Sequence, residues 1–94
     1  MATDAGPRRA SAYDLNLIYF EKVARGTGWT TGKGFNVKLI ASELGLSDEQ
    51  VRRVLNRTSR PGVTFMAGLQ RAVEDFRIRV MFPLVYADEP IGKE

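Results

Sequence analysis

The segment IASELGLSDEQVRRVLNR, Ile40 to Arg57, sets two short helical patterns on either side of one glycine, Gly45. Asn36 is a capping residue for a helix over about Val37 to Leu44, and glycine is the residue that most readily ends one. Ser47 with Gln50 forms a capping box, which opens a second helix over about Asp48 to Arg57. Between them, Gly45 admits the left-handed conformation that costs a residue with a Cβ roughly 1–2 kcal/mol. Ile40, Ala41 and Leu44 then face inward on one helix, and Val51, Val54 and Leu55 on the other. Leu46 plugs the turn, and the small side chain of Ala41 suits the place where the two helices cross.

The remaining chain is organised around that unit. Residues 1–10, with Gly6, Pro7, Arg8 and Arg9, are small and polar and are expected to form a flexible arm. Ser11 and Asp14 have capping spacing for a first helix over about Ala12 to Arg25. Leu15, Ile18, Tyr19 and Val23 would share its apolar face, widened by Leu17, Phe20 and Ala24. RGTGWTTGKGF carries four glycines in nine residues and reads as a loop or small hairpin. TSRPG breaks the chain after the third helix. Thr64 can cap a fourth helix to about Phe76, with Phe65, Leu69, Ala72, Val73 and Phe76 at core spacing. Gly68 either weakens that helix, by ~1 kcal/mol against alanine, or lets another backbone come close. From Phe76 the period changes to two: Phe76, Ile78, Val80 and Phe82 alternate with Arg77, Arg79 and Met81, a half-buried strand pattern ended by Pro83. A lone strand must pair, either across a two-fold axis or with WTTGK in the same chain. Residues 84–94 read as a loose tail. The expected arrangement is one domain over residues 11–83.

Composition narrows the function. The chain has 94 residues, with neither cysteine nor histidine. That removes disulfides, thiolate catalysis, histidine acid–base chemistry and Cys/His zinc sites, and the carboxylates are scattered, so the expectation is a non-enzyme without metal or cofactor. Apolar runs fall far short of the roughly 20 residues a membrane span needs, and the N-terminus has no signal-like apolar core. A cytoplasmic protein without membrane contact is expected. The net charge is +3, and four arginines lie between Arg52 and Arg60 without an acid. A basic stripe of this kind suits a polyanion, and also occurs on solvated helix faces.

The twenty residues from Val37 to Asn56 have the spacing of a helix-turn-helix. Through Ala41, Gly45, Leu46, Val51 and Val54 the chain resembles the λ-repressor-like superfamily, which includes phage Cro and repressor heads and the LacI-type DNA-binding head. VRRVLN is especially similar to the VSRVLN style of the LacI heads. The resemblance covers about Ala12 to Phe76. The glycine-rich segment is longer than the superfamily's usual turn, and no LacI-like hinge helix or effector domain is read after the helices.

The resemblance implies a mainly α, four-helix λ-repressor-like domain with a C-terminal β-strand, or a Cro-like α+β variant. It implies a sequence-specific regulator of transcription on double-stranded DNA, expected to be a repressor of phage, prophage or bacterial origin and nucleoid-associated. The helix at 48–57 would enter the major groove. Asp48, Glu49, Arg52 and Arg53 would read bases, and Lys38, Asn56, Arg57, Thr58 and Arg60 would contact phosphates. A homodimer is expected, with Ile78, Val80 and Phe82 as its contact if the strand pairs between chains.

Each residue also has a plainer reading. Asp48 and Glu49 favour the positive end of their helix by ~0.3–1 kcal/mol each, or Glu49 accepts from a cytosine amino group. Arg8 and Arg9 are a solvated terminus or a minor-groove arm. Trp29 covers the core or anchors a partner. Arg77 and Arg79 are solvent-side residues or phosphate ligands. The rival function is a protein-interaction module, antitoxin-like or an adaptor, whose helix-turn-helix binds a protein.

Overall fold

The structure is a computed structural model that describes residues 11–92. The flexible arm expected at residues 1–10 lies outside the described residues. In chain order the elements are β1 (Ser11–Tyr13), α1 (Leu17–Thr27), β2 (Thr30–Thr31), β3 (Gly34–Phe35), α2 (Val37–Leu44), α3 (Asp48–Leu55), α4 (Val63–Ala72), α5 (Ile78–Met81) and β4 (Leu84–Tyr86). It is mainly helical, with two short antiparallel ribbons, β1–β4 and β2–β3.

The middle of the chain follows its local signals. Asn36 caps α2 by accepting from the Leu39 N–H at 3.2 Å. Gly45 ends α2 in the left-handed region, at φ 72° and ψ 35°. Ser47 and Gln50 form the reciprocal capping box of α3: the Gln50 N–H donates to Ser47 Oγ, and the Ser47 N–H donates to Gln50 Oε1. These bonds satisfy donors that a helix start otherwise leaves open. Ile40, Ala41, Leu44, Val51, Val54 and Leu55 are all buried.

α4 crosses α2 with no side chain between them at one point. A Cβ on Gly68 would lie 2.7 Å from the Leu44 carbonyl oxygen. Glycine here is a packing requirement, and its helix-weakening tendency is the lesser effect. Around this crossing the aromatic rings form a chain: Phe20 lies 5.5 Å from Phe35 and 6.0 Å from Phe65, and Phe65 meets Phe82 edge to face at 6.3 Å. Trp29 is buried beside Phe20. The glycine-rich segment is therefore a hairpin whose base is sealed by Trp29, with the Trp29 N–H donating to Ala24 O and the Asn36 N–H donating to Trp29 O.

Both ends of the described chain depart from the sequence expectation. The first helix starts at Leu17, capped by Asn16, whose side chain accepts from the Tyr19 N–H. Residues 11–13, expected to start that helix, form a strand instead. Within α1 it is Phe20 and Ala24 that are buried, while Ile18 faces solvent. α4 is capped by Gly62 with no side-chain bond, so Thr64 is not its cap, and it stops at Ala72 rather than Phe76.

The strand expected from Phe76 to Phe82 is not formed. Ile78–Met81 is one helical turn, closed by bonds from the Met81 N–H to Arg77 O and from the Phe82 N–H to Ile78 O. Met81 and Phe82 are both buried, which an alternating strand would not allow. The true strand comes after Pro83 and pairs with β1 in the same chain, Tyr13 opposite Leu84 and Ser11 opposite Tyr86. Leu84–Tyr86 is thus ordered structure where a loose tail was expected, and WTTGK pairs with its own hairpin rather than with the C-terminal strand.

Candidate nucleic-acid interface

α3 presents Glu49, Arg52, Arg53 and Asn56 to solvent, opposite the buried Val51, Val54 and Leu55. Asp48 is half-buried in the first turn, where its charge sits at the positive end of the helix. Glu49 and Arg53 form an exposed ion pair one turn apart, Nε to Oε2 3.1 Å. Such a pair contributes a few tenths of a kcal/mol and exchanges readily for a better partner. Beside it, Leu46, Gln50, Arg53, Ser59 and the start of α4 border a depression of about 270 Å³. Lys38 is exposed in the first turn of α2.

The arginines past the end of α3 are placed quite differently. Asn56 is the C-cap and Arg57 follows with φ 66°, a left-handed value for a residue with a side chain. The Arg57 N–H donates to Val54 O and the Thr58 N–H to Arg53 O, the paired bonds with which helices commonly end on a glycine. The Thr58 hydroxyl also donates to Arg53 O, at 3.1 Å.

From this turn the Arg57 side chain runs inward. Its Nη1 donates to Leu15 O at 2.7 Å and lies 3.7 Å from Asp14 Oδ1. Arg60 approaches the same carboxylate, Nη1 to Oδ2 3.6 Å, and its Nη2 donates to the carbonyl oxygen of Glu89. Asp14 is 5 % exposed, and it accepts from the Leu15 N–H on Oδ1 and from the Gly92 N–H on Oδ2. Two cations and two main-chain donors therefore surround one buried carboxylate, which offsets the cost of removing it from water.

This cluster divides the residues assigned to DNA. Glu49, Arg52, Arg53, Asn56 and Lys38 are on the surface, whereas the guanidinium groups of Arg57 and Arg60 are spent on joining the two ends of the described chain. Thr58 faces solvent, but its hydroxyl serves the turn. Asp14, which the spacing assigns to a capping box with Ser11, is the centre of the cluster. The available signal was an acid enclosed by Tyr13, Leu15 and Leu17, a setting in which a carboxylate must find a partner. Among the described residues no group of acids is placed to hold a metal ion, and no helix is long and apolar enough to cross a membrane.

Comparisons of the chain with protein-family models, with curated proteins and with solved structures returned no match.

Proposed function

We propose that α2, the turn at Gly45 and α3 act as a helix-turn-helix, and that the protein is a sequence-specific regulator of transcription on double-stranded DNA. The observation that carries this reading is the exposed face of α3. A helix capped at its start and buried along its inner face holds Arg52 and Arg53 outward on a rigid support. In the major groove Arg53 would leave Glu49 for the O6 and N7 acceptors of guanine, while Glu49 would accept from a cytosine amino group. Lys38 and Asn56 flank that face and would meet phosphates. Arg57 and Arg60 act indirectly, by holding the end of α3 in place.

Selection of bound sites from random duplex DNA, followed by binding to the selected and scrambled duplexes at two salt concentrations, tests the proposal. A preferred sequence and a salt-dependent affinity are expected. The rival is a protein-interaction module, favoured by the Glu49–Arg53 pair, which neutralises part of the basic face. Duplex binding that is absent, or indifferent to sequence, turns the assignment toward it.

A further inference from the structure

A second face of the molecule is apolar and exposed. Val63, Met66 and Ala67 on α4, Ile78 and Phe82 around α5, and Tyr13 on β1 line a groove of about 390 Å³. The face continues over the outer side of the ribbon, because Tyr13 pairs with Leu84 and Tyr86 lies two residues further along the same side of β4. Val63 is 78 % and Leu84 64 % exposed, and Tyr13, Ile78 and Tyr86 are each nearly half exposed. Scattered apolar residues on a surface need no explanation, but a continuous run of this extent does.

Size and charge both select the occupant. At roughly 150–200 Å² for a full side chain, these exposed fractions amount to about 500 Å², and with a polar rim they approach the ~800 Å² per partner of a stable interface. Arg79 lines the groove together with Tyr13, which stands at one end of the ribbon. Glu89 borders the depression at the other end, beside Ser11 and Tyr86. Neither side chain makes an ion pair with another described residue. A face with a cation at one end, an anion at the other and apolar surface between is complementary to a copy of itself turned about a two-fold axis.

We propose that the protein forms a homodimer through this face, with Arg79 of each copy opposite Glu89 of the other. The contact is made by α4, α5 and the outer side of the ribbon, not by a strand shared between chains. Phe82 supports it from the groove floor, and Ile78 meets the partner as a helical residue. The inference is independent of DNA binding, and its test contains no DNA.

Sedimentation equilibrium of the full chain from roughly 1 to 100 µM reads the association directly. The expected result is a monomer–dimer equilibrium that Leu84→Glu weakens at least ten-fold, while its melting temperature in dilute solution stays near that of the wild type. Arg79→Glu and Glu89→Arg should each weaken the dimer by about ten-fold, since each change disturbs two symmetric pairs, and combining them should restore it. The charge exchange decides the matter even if Leu84→Glu melts early. A wild-type monomer throughout that range overturns the proposal. So does a dimer indifferent to all three substitutions, or a monomer that dimerises only when residues 1–10 are deleted, which would give the face to that segment.

Discussion

Gly68 of α4 lies against the main chain of Leu44 in α2, where a Cβ would stand 2.7 Å from the carbonyl oxygen. No rotamer relieves a Cβ that touches backbone, so the helices must part. Gly68→Ala is expected to destabilise the protein by ~1–3 kcal/mol even though alanine is the better helix former. Urea unfolding followed by circular dichroism measures it. A midpoint equal to or above that of the wild type would mean that α2 and α4 do not approach as described.

Asp14 is the second sensitive point. Asp14→Asn keeps the size and one acceptor oxygen but leaves Arg57 and Arg60 facing each other without a counter-charge. Removing one partner of a buried pair typically costs 3–5 kcal/mol; both arginines keep some access to water, and about 3 kcal/mol is expected here. Thermal and denaturant midpoints should fall together, and more than for a solvent-facing control such as Glu43→Gln.

Arg57 carries two opposed effects in one residue. Its left-handed backbone would suit glycine, by roughly 1 kcal/mol, whereas its side chain holds Leu15 O and Asp14. Arg57→Gly should therefore destabilise the wild type yet cost less in an Asp14→Ala background, with a coupling above ~1 kcal/mol in a double-mutant cycle. Additive effects would mean that the two residues do not act together.

On DNA, Arg53 and Arg57 should separate cleanly. Arg53→Ala is expected to lose ~1–3 kcal/mol on the selected site and relax the choice at one base position, with little change in melting temperature. Arg57→Ala should lower the melting temperature first, with its loss of binding tracking the unfolded fraction. Lys38→Ala should weaken all duplexes alike and reduce the salt slope by about one unit. Fluorescence anisotropy on selected and scrambled duplexes, alongside melting curves, distinguishes the three patterns.

The residues whose structure was legible in the sequence are those governed by near neighbours. From Asn36 to Leu55 the boundaries are set by caps, a left-handed glycine or an apolar period within one or two turns, and both helix starts, the turn and the buried positions emerge as read; only the end of α3 differs, at Leu55 rather than about Arg57. The ends were not legible, because their partners are distant. Ser11 could cap a helix by spacing alone, but β4 lies ready to pair with residues 11–13, and Asn16 offers an equally good cap further on. FRIRVMF alternates for seven residues, a window in which one helical turn and a strand leave similar traces; burial of the adjacent Met81 and Phe82 decided for the turn. The same distance hid the roles of Arg57 and Arg60. A run of arginines says nothing of a carboxylate more than forty positions away.

The bond from the Gly92 N–H to Asp14 joins residues 78 apart, so nearly the whole described chain is a loop closed at that point. Contacts with such separation are slow to find and commonly form after a local nucleus, for which the compact unit from α2 to α4 is suited. Interactions absent from the transition state leave the folding rate almost unchanged and act on the rate of escape from the native basin. The carboxylate and its two arginines would then govern how long each folded molecule lasts, more than how quickly it is made.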